Sequence, residues 1–149
     1  MSRDGVHALT RASMQRARPR IAANAVSRRR NMEPNPRPLL TFVACDGSRI
    51  AGYFSLNVGQ VDTLDTPERV RRGMGQQPIP LVILARLAVD LDYQKQGLGF
   101  SLLQDAIRRT VAIAEHAGIR ALLIHPIDED ADAFYRRFGF ESTPATNIN

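Results

Sequence analysis

Between Leu81 and His125 the chain runs through a nearly continuous apolar segment, a long segment of helical periodicity opened by glycines, and a second apolar segment. Nothing else in its 149 residues constrains the fold as tightly. Leu81 to Val89 is interrupted only by Arg86, the pattern of a strand covered on both faces. From Leu98 the apolar residues fall at 98, 102, 103, 106, 107, 111 and 114, with Asp105, Arg108, Arg109 and Glu115 on the opposite face. That spacing predicts an amphipathic helix of about five turns, with Asp105 and Arg109 in i,i+4 register and Gly118 as its stop. Arg120 to His125 is then a second buried strand, ended by Pro126. In this order the two strands lie parallel and adjacent, because the crossover helix returns the chain to the end of the sheet where the first strand began.

The flanks add antiparallel strands and one further helix, which makes the class α/β (α+β) around a mixed sheet. Leu39 to Ala44 and Arg49 to Val58 are rich in β-branched and aromatic residues and are joined through Asp46-Gly47, the pattern of a hairpin. The polar stretch 59–80 reads as a long loop, with one helical turn over Pro67 to Arg72 capped by Thr66. Beyond Pro126, Asp128 or Asp130 caps a short helix whose Ala131, Phe134, Tyr135 and Phe138 share one face.

Charge divides the chain at about residue 38. Residues 1–38 hold nine arginines against Asp4 and Glu33, a net of +7, whereas residues 39–149 carry −2. The first segment reads as a basic, poorly ordered or partly helical tail, with a helix over 8–26 broken at Pro19 and an extended linker at Pro34, Pro36 and Pro38. Solvated tail, organellar transit peptide and nucleic-acid-binding arm all fit such a composition. The compact domain is expected over 39–149. Its lone cysteine, Cys45, forms no internal disulfide and reads as a small buried hydrophobe. No apolar run approaches the roughly 20 residues of a membrane span, so a cytoplasmic protein without membrane contact is expected. His7 and His116 have no companions at metal-ligand spacing, His125 reads as a structural histidine, and no metal is expected.

Chemistry concentrates where the first strand meets the helix, at Gln94-Lys95-Gln96-Gly97-Leu98-Gly99-Phe100. Glycines without Cβ let backbone approach a ligand, and the first N–H groups of the helix have no intrahelical partner. Such a turn binds anions, phosphates above all.

Gln94 to Gly99 resembles the [Gln/Arg]-x-x-Gly-x-[Gly/Ala] pyrophosphate loop of the GNAT-type N-acetyltransferases, and Phe134-Tyr135-Arg136-Arg137-Phe138-Gly139-Phe140 resembles that family's Phe-Tyr-x-x-x-Gly-Phe segment. The likeness covers Leu39 to Phe140. Narrower phrases at Ala85 to Asp90, Gly118 to His125 and Ile127 to Ala131 are similar to the GNAT toxins of bacterial toxin–antitoxin pairs. The resemblance implies a three-layer fold whose central mixed sheet holds a splayed parallel strand pair. It implies acetyl-CoA as cosubstrate, gripped through Gln94, Lys95, Gln96, Gly97, Leu98, Gly99 and Phe100. Leu87 and Val89 would bond the pantetheine arm through their backbone, with the Leu87 N–H on the thioester carbonyl, and Tyr135 would be the general acid. The implied acceptor is the α-amine of aminoacyl-tRNA, with a ribbon-helix-helix antitoxin and a second copy of the chain as further partners.

Two departures accompany the likeness. Residues 1–38 do not reproduce the family's first strand and two helices, and Glu141 to Asn149 leave too little for its final hairpin strand. The fold is therefore expected to be incomplete at both ends, with an exposed sheet edge. No Glu or His stands on 81–89 to serve as a base. A lysine amine at pKa about 10.4 would need one, whereas an α-amine at about 7.7–8.0 is already partly neutral, which favours an α-amine acceptor. Arg86 would then meet RNA phosphate or the acceptor end, or pair with Asp90 or Asp92. Arg69, Arg71 and Arg72 would grip the backbone. Two other functions fit the same residues: acetylation of a small amine or a protein or peptide N-terminus, and a non-catalytic remnant that binds acyl-CoA or an antitoxin.

Overall fold

The computed structural model describes residues 6–10, 26–31, 39–62, 68, 72–73 and 75–143. Their strands are β1 (Val6–Thr10), β2 (Val26–Asn31), β3 (Leu39–Asp46), β4 (Arg49–Val61), β5 (Ile79–Val89), β6 (Ala121–Ile124) and β7 (Glu141–Thr143). The helices are α1 (Leu98–Ala117) and α2 (Glu129–Arg136), with a 3-10 turn at Leu91–Tyr93. All seven strands join one sheet in the order β2-β3-β4-β5-β6-β1-β7. Among the described residues only β5 and β6 pair in parallel, so the sheet is mixed, as the strand–helix–strand order requires.

Alternation along the strands separates two sets of core residues. Leu9, Phe54, Val82, Leu84, Leu122 and Ile124 pack with Leu102, Leu103, Ala106 and Ile107 of α1 and with Tyr135 of α2, while Ala8, Leu81, Ala121 and Leu123 form a second cluster. Neighbouring residues of one strand fall in different clusters, so β1, β5 and β6 are covered on both faces. Both helices belong with the first cluster. Among the described residues no helix packs in the second cluster.

The hairpin, the amphipathic helix and the capped short helix stand where the pattern puts them, and Gly118 ends α1 in the left-handed conformation. Asp105 does not lie on a solvated face. Its side chain is 1 % exposed and accepts from Arg109 Nε at 2.8 Å and from Arg108, two guanidinium groups that are themselves partly exposed. Arg109 also lies over the Phe42 ring, 4.1 Å from the centroid, so its flat face covers β3 while its edge holds the carboxylate. The loop expected over 59–80 is shorter, because Gly59 pairs with Leu81 and Gln60 with Pro80. Arg72 N–H donates to the Glu68 carbonyl at 2.8 Å, an i to i+4 bond in keeping with a helical turn there; Thr66, its expected cap, is outside the described residues.

Within the first 38 residues the two described segments differ from the reading, and the linker expected at Pro34, Pro36 and Pro38 lies outside the described residues. Ala8 to Thr10 and Val26, expected in a helix, are strand; residues 11–25 are outside the described set. β1 lies antiparallel between β6 and β7, and β2 pairs with β3. Apolar residues scattered among arginines fit either period, and the choice here is tertiary: β6 is buried along its whole length and presents a free ladder edge that β1 fills. The edge expected to be exposed after Phe140 is thus covered, and Glu141–Thr143 forms a strand against β1. Among the described residues no helix is long and apolar enough to cross a membrane.

Candidate active site

β5 holds its antiparallel partner β4 to the end, Val89 opposite Gly52, but pairs with β6 only from Val82 to Leu84. At the point of divergence Ser55 faces Arg86 and Leu56 faces Leu84, which leaves Ala85 as an extra residue in β5. Such a bulge bends its strand and raises the local twist. Past it the burial on both faces expected for 81–89 ends: Ala85, Arg86 and Ala88 are exposed, and Leu87 and Val89 half-buried. β6 ends at Ile124, opposite Leu84, so the rest of β5 runs on without a partner on that side and borders an open wedge. Asp90 N–H donates to the Ala51 carbonyl at 2.8 Å. Because backbone groups alternate direction along a strand, Ala88 turns toward β4 while Leu87 and Val89 direct theirs into the wedge.

The turn at the end of β5 is held by side chains. Asp90 Oδ1 accepts from Asp92 N–H at 2.9 Å, which caps the 3-10 turn, and this bond, aided by Arg49 against partial desolvation, holds the Asp90 carboxyl below its ordinary value. Arg49 Nη2 donates to Asp90 at 3.1 Å and Asp92 at 2.5 Å and lies over the Tyr93 ring, whose hydroxyl donates to Asp46 at 2.8 Å. The β3–β4 turn thus clamps the loop. Gln94 Nε2 donates to the Val89 carbonyl at 3.1 Å and Gln96 Nε2 to the Asp92 carbonyl at 3.3 Å, so both glutamines brace the loop through their side chains. Lys95 at φ 60° and Gly97 at φ 82° are both left-handed and wind the chain tightly into α1. No side chain caps α1 and no acid lies in its first turn, so the N–H groups of Leu98, Gly99 and Phe100 are uncapped at the positive end of the helix dipole.

Tyr135 comes to this region on α2. Asp128 caps that helix, its Oδ1 accepting from Ala131 N–H at 2.7 Å, and Glu129, Asp130 and Asp132 add favourable charge to the first turn. The Tyr135 ring is buried and meets Phe134 and Phe140 edge-on at 5.2 and 5.6 Å. Among the described residues its hydroxyl has no hydrogen-bond partner, and burial pushes the phenol above its ordinary value of 10.0. The phenol is therefore held in its protonated form. Phe138 meets Phe100 at 4.8 Å, and a methyl added at Gly99 would lie 3.7 Å from Val89 Cγ2 and 3.9 Å from Phe134 Cζ. The end of β5, the first turn of α1 and the aromatic face of α2 therefore converge.

The proposed acceptor residues are less tightly gathered. Arg86 and Arg72 are exposed, while Arg69 and Arg71 lie outside the described residues. Asp90 and Asp92, the candidate partners of Arg86, are held by Arg49. Cys45 and His125, expected to be buried and structural, are exposed: Cys45 stands where β3 passes a bulge into its turn, and His125 follows the last residue of β6. Among the described residues no three His, Cys, Asp or Glu side chains cluster as a metal site. The residue missed is His7, 4 % exposed with Nε2 2.7 Å from Asp132 Oδ1. A polar residue between apolar ones in a segment read as tail carries no signal without the strand it belongs to.

The acetyltransferase (GNAT) domain family matches residues 38–142, from just before β3 into β7. The tRNA-acetylating toxin of Mycobacterium tuberculosis (strain ATCC 25618 / H37Rv) is 47% identical over 108 residues, 72% of this chain and 64% of that protein, so the chain spans less than two thirds of that relative. A tyrosine-to-phenylalanine mutant of KacT superposes with a TM-score of 0.63 at 28% identity, covering 75% of this chain and 68% of that one. A tyrosine-to-phenylalanine mutant of the AtaT toxin, bound to acetyl-CoA and the C-terminus of the antitoxin AtaR, does so with a TM-score of 0.56 at 25% identity, covering 70% and 67%.

Proposed function

Because the chain belongs to the acetyltransferase (GNAT) family, we propose that it is a toxin that transfers the acetyl group of acetyl-CoA to the α-amine of aminoacyl-tRNA and so blocks translation. The observation that carries this reading is the wedge between β5 and β6, with uncapped helix N–H groups at its mouth and the Tyr135 phenol on the adjoining helix. The resemblance to a tRNA-acetylating toxin supports the acceptor, and the AtaT complex supports acetyl-CoA and an antitoxin partner. Translation places the activity in the cytoplasm.

In this reading the coenzyme pyrophosphate sits on the N–H groups of Lys95 to Phe100, and the pantetheine arm adds a short strand along Leu87 and Val89. The Leu87 N–H bonds the thioester oxygen as it gains charge. The neutral amine attacks the carbonyl carbon, the new C–N bond replaces the C–S bond, and the Tyr135 hydroxyl gives its proton to the departing sulfur. The proton lost by the amine goes to water, from which the phenolate is reprotonated. No acidic or imidazole side chain stands on β5, which favours an acceptor that supplies its own neutral amine. An α-amine activated by the neighbouring ester meets that condition and a lysine does not.

Incubation with labelled acetyl-CoA and either charged tRNA or a panel of amines and peptides tests the acceptor. Label on the aminoacyl group is expected, and label on amines alone refutes it. Tyr135→Phe should lower turnover by about 10²- to 10⁴-fold with acetyl-CoA affinity unchanged. Undiminished turnover removes Tyr135 as the acid, and coenzyme binding without product in the parent chain makes the protein a binding remnant.

A further inference from the structure

β1 contributes more than a ladder to the sheet. His7 and Leu9 project from the same face of the strand, and both meet the region of α2. Leu9 packs in the cluster that holds Tyr135 and Phe140 and lies 3.8 Å from where a Cβ on Gly139 would be, just past the helix. His7 Nε2 lies 2.7 Å from Asp132 Oδ1, Asp132 Oδ2 accepts from Arg136 Nε at 2.8 Å, and Arg136 Nη2 donates to Ser142 Oγ at 2.9 Å. Ser142 stands directly opposite His7 in the β1–β7 ladder. Hydrogen bonds and strand pairing therefore form a closed ring of four residues, two on α2 and one on each adjoining strand. Tyr135 precedes Arg136 and lies one turn from Asp132, so the ring fixes both the axial position and the rotation of the turn that carries it.

We propose that His7 is a positioning residue for acetyl transfer, which sets the Tyr135 hydroxyl against the wedge by holding Asp132 of α2 from the inserted strand β1. The reasoning rests on the assignment of Tyr135 as the acid. Burial holds the imidazole below its ordinary value against the opposing pull of Asp132, so it is neutral and donates from Nε2. Nδ1, left as the bare acceptor, is buried with no partner among the described residues. A histidine kept solely for packing has no need of a second, unsatisfied nitrogen, and a leucine or methionine would fill the space without it. What the imidazole adds is a directed bond to one carboxylate oxygen while Arg136 takes the other.

Catalytic geometry is sensitive to such control, since a displacement of about 1 Å can cost roughly 100-fold in rate. The test is a double-mutant cycle on the full chain, assayed well below each variant's melting temperature. His7→Met should lower kcat by about 10- to 100-fold with the acetyl-CoA KM unchanged, and His7→Gln, which keeps a donor near the Nε2 position, should restore most of it. In the Tyr135→Phe background His7→Met should add less than about twofold, because its effect runs through the phenol. Asp132→Asn, at a part-exposed position, loses one of the two acceptors and should reproduce the loss if His7→Met does not fold. A kcat unchanged in His7→Met, or in Asp132→Asn where His7→Met cannot be assayed, overturns the proposal. So does an equal further loss in both backgrounds, or a parallel rise in KM. Full turnover in Tyr135→Phe alone refutes the acid assignment instead.

Discussion

Gly52 and Gly99 both adjoin the end of β5, and the space around them predicts opposite responses to one added methyl. A Cβ on Gly52 would lie 2.9 Å from the Ala88 carbonyl oxygen and 2.9 Å from Leu102 Cδ1, with Leu98 Cδ2 at 3.5 Å. The leucine tips can yield, but Ala88 O belongs to the backbone of the strand that borders the wedge. On Gly99 the nearest atoms are side-chain carbons at 3.7 and 3.9 Å, ordinary contact distances. Overpacking against backbone costs about 1–3 kcal/mol. For a domain of this size each kcal/mol lowers Tm by roughly 2–4 °C, so Gly52→Ala should melt about 4–8 °C below the parent at the middle of that range. Gly99→Ala replaces a poor helix former with the best one inside α1 and should melt at or above the parent. Thermal unfolding followed by circular dichroism, without ligand, reads packing alone. If Gly52→Ala melts within 1 °C of the parent, or if Gly99→Ala melts as low as Gly52→Ala, the argument from close approach is wrong.

Three further outcomes follow from charge and burial. Initial rates on aminoacyl-tRNA should rise with pH through the α-amine range of about 7.7–8.0 or below and stay level to about pH 9.5, because burial raises the Tyr135 phenol rather than lowering it; a decline below pH 9 would contradict that. Since the His7 imidazole is held below its ordinary value by burial, the unfolded chain binds the extra proton first, and stability should fall as pH drops below about 6.5. Urea midpoints at pH 7.5 and 5.5 should differ less in His7→Gln than in the parent, and an equal difference would refute the assignment. Asp105→Ala removes the buried acceptor shared by Arg108 and Arg109 and should cost about 1.5–3 kcal/mol by urea unfolding, whereas a loss below 0.5 kcal/mol would mean water replaces the carboxylate at about equal free energy.

What sequence could and could not disclose follows from how far apart the interacting residues lie along the chain. The β5–α1–β6 unit and the loop from Gln94 to Gly99 are local: period, glycine positions and chain order are written within about 45 residues, and the handedness of a crossover leaves one arrangement. The aromatic face of α2 is local in the same sense. The bulge at Ala85 was not legible, because an apolar run has the same composition whether or not one residue is extra, yet it is what ends the burial of β5 and exposes Arg86 to Val89. Asp105 was misplaced by periodicity because a charge at a helical boundary is read as solvated unless its partners reach over it, as Arg108 and Arg109 do here.

β1 was the hardest to see, and for a physical reason. Five residues with one histidine and one threonine have no period of their own, and the ladder edge of β6 that they fill lies more than 110 residues later in the chain. Composition judged those residues by their arginine-rich neighbours. The pairing partner judges them by the backbone groups it must satisfy, and a buried strand such as β6 cannot leave that edge empty. Glu141 to Asn149 are too few for the final hairpin strand that the resemblance implies, and β1 from the other end of the chain covers the edge instead. Strand insertion is indifferent to chain order, since an antiparallel neighbour needs only length, alternation and a reachable edge. It follows that residues 6–10 should be among the slowest amides to exchange with solvent outside β4, β5 and β6, and rapid exchange there at neutral pH would remove β1 from the sheet and His7 from the site together.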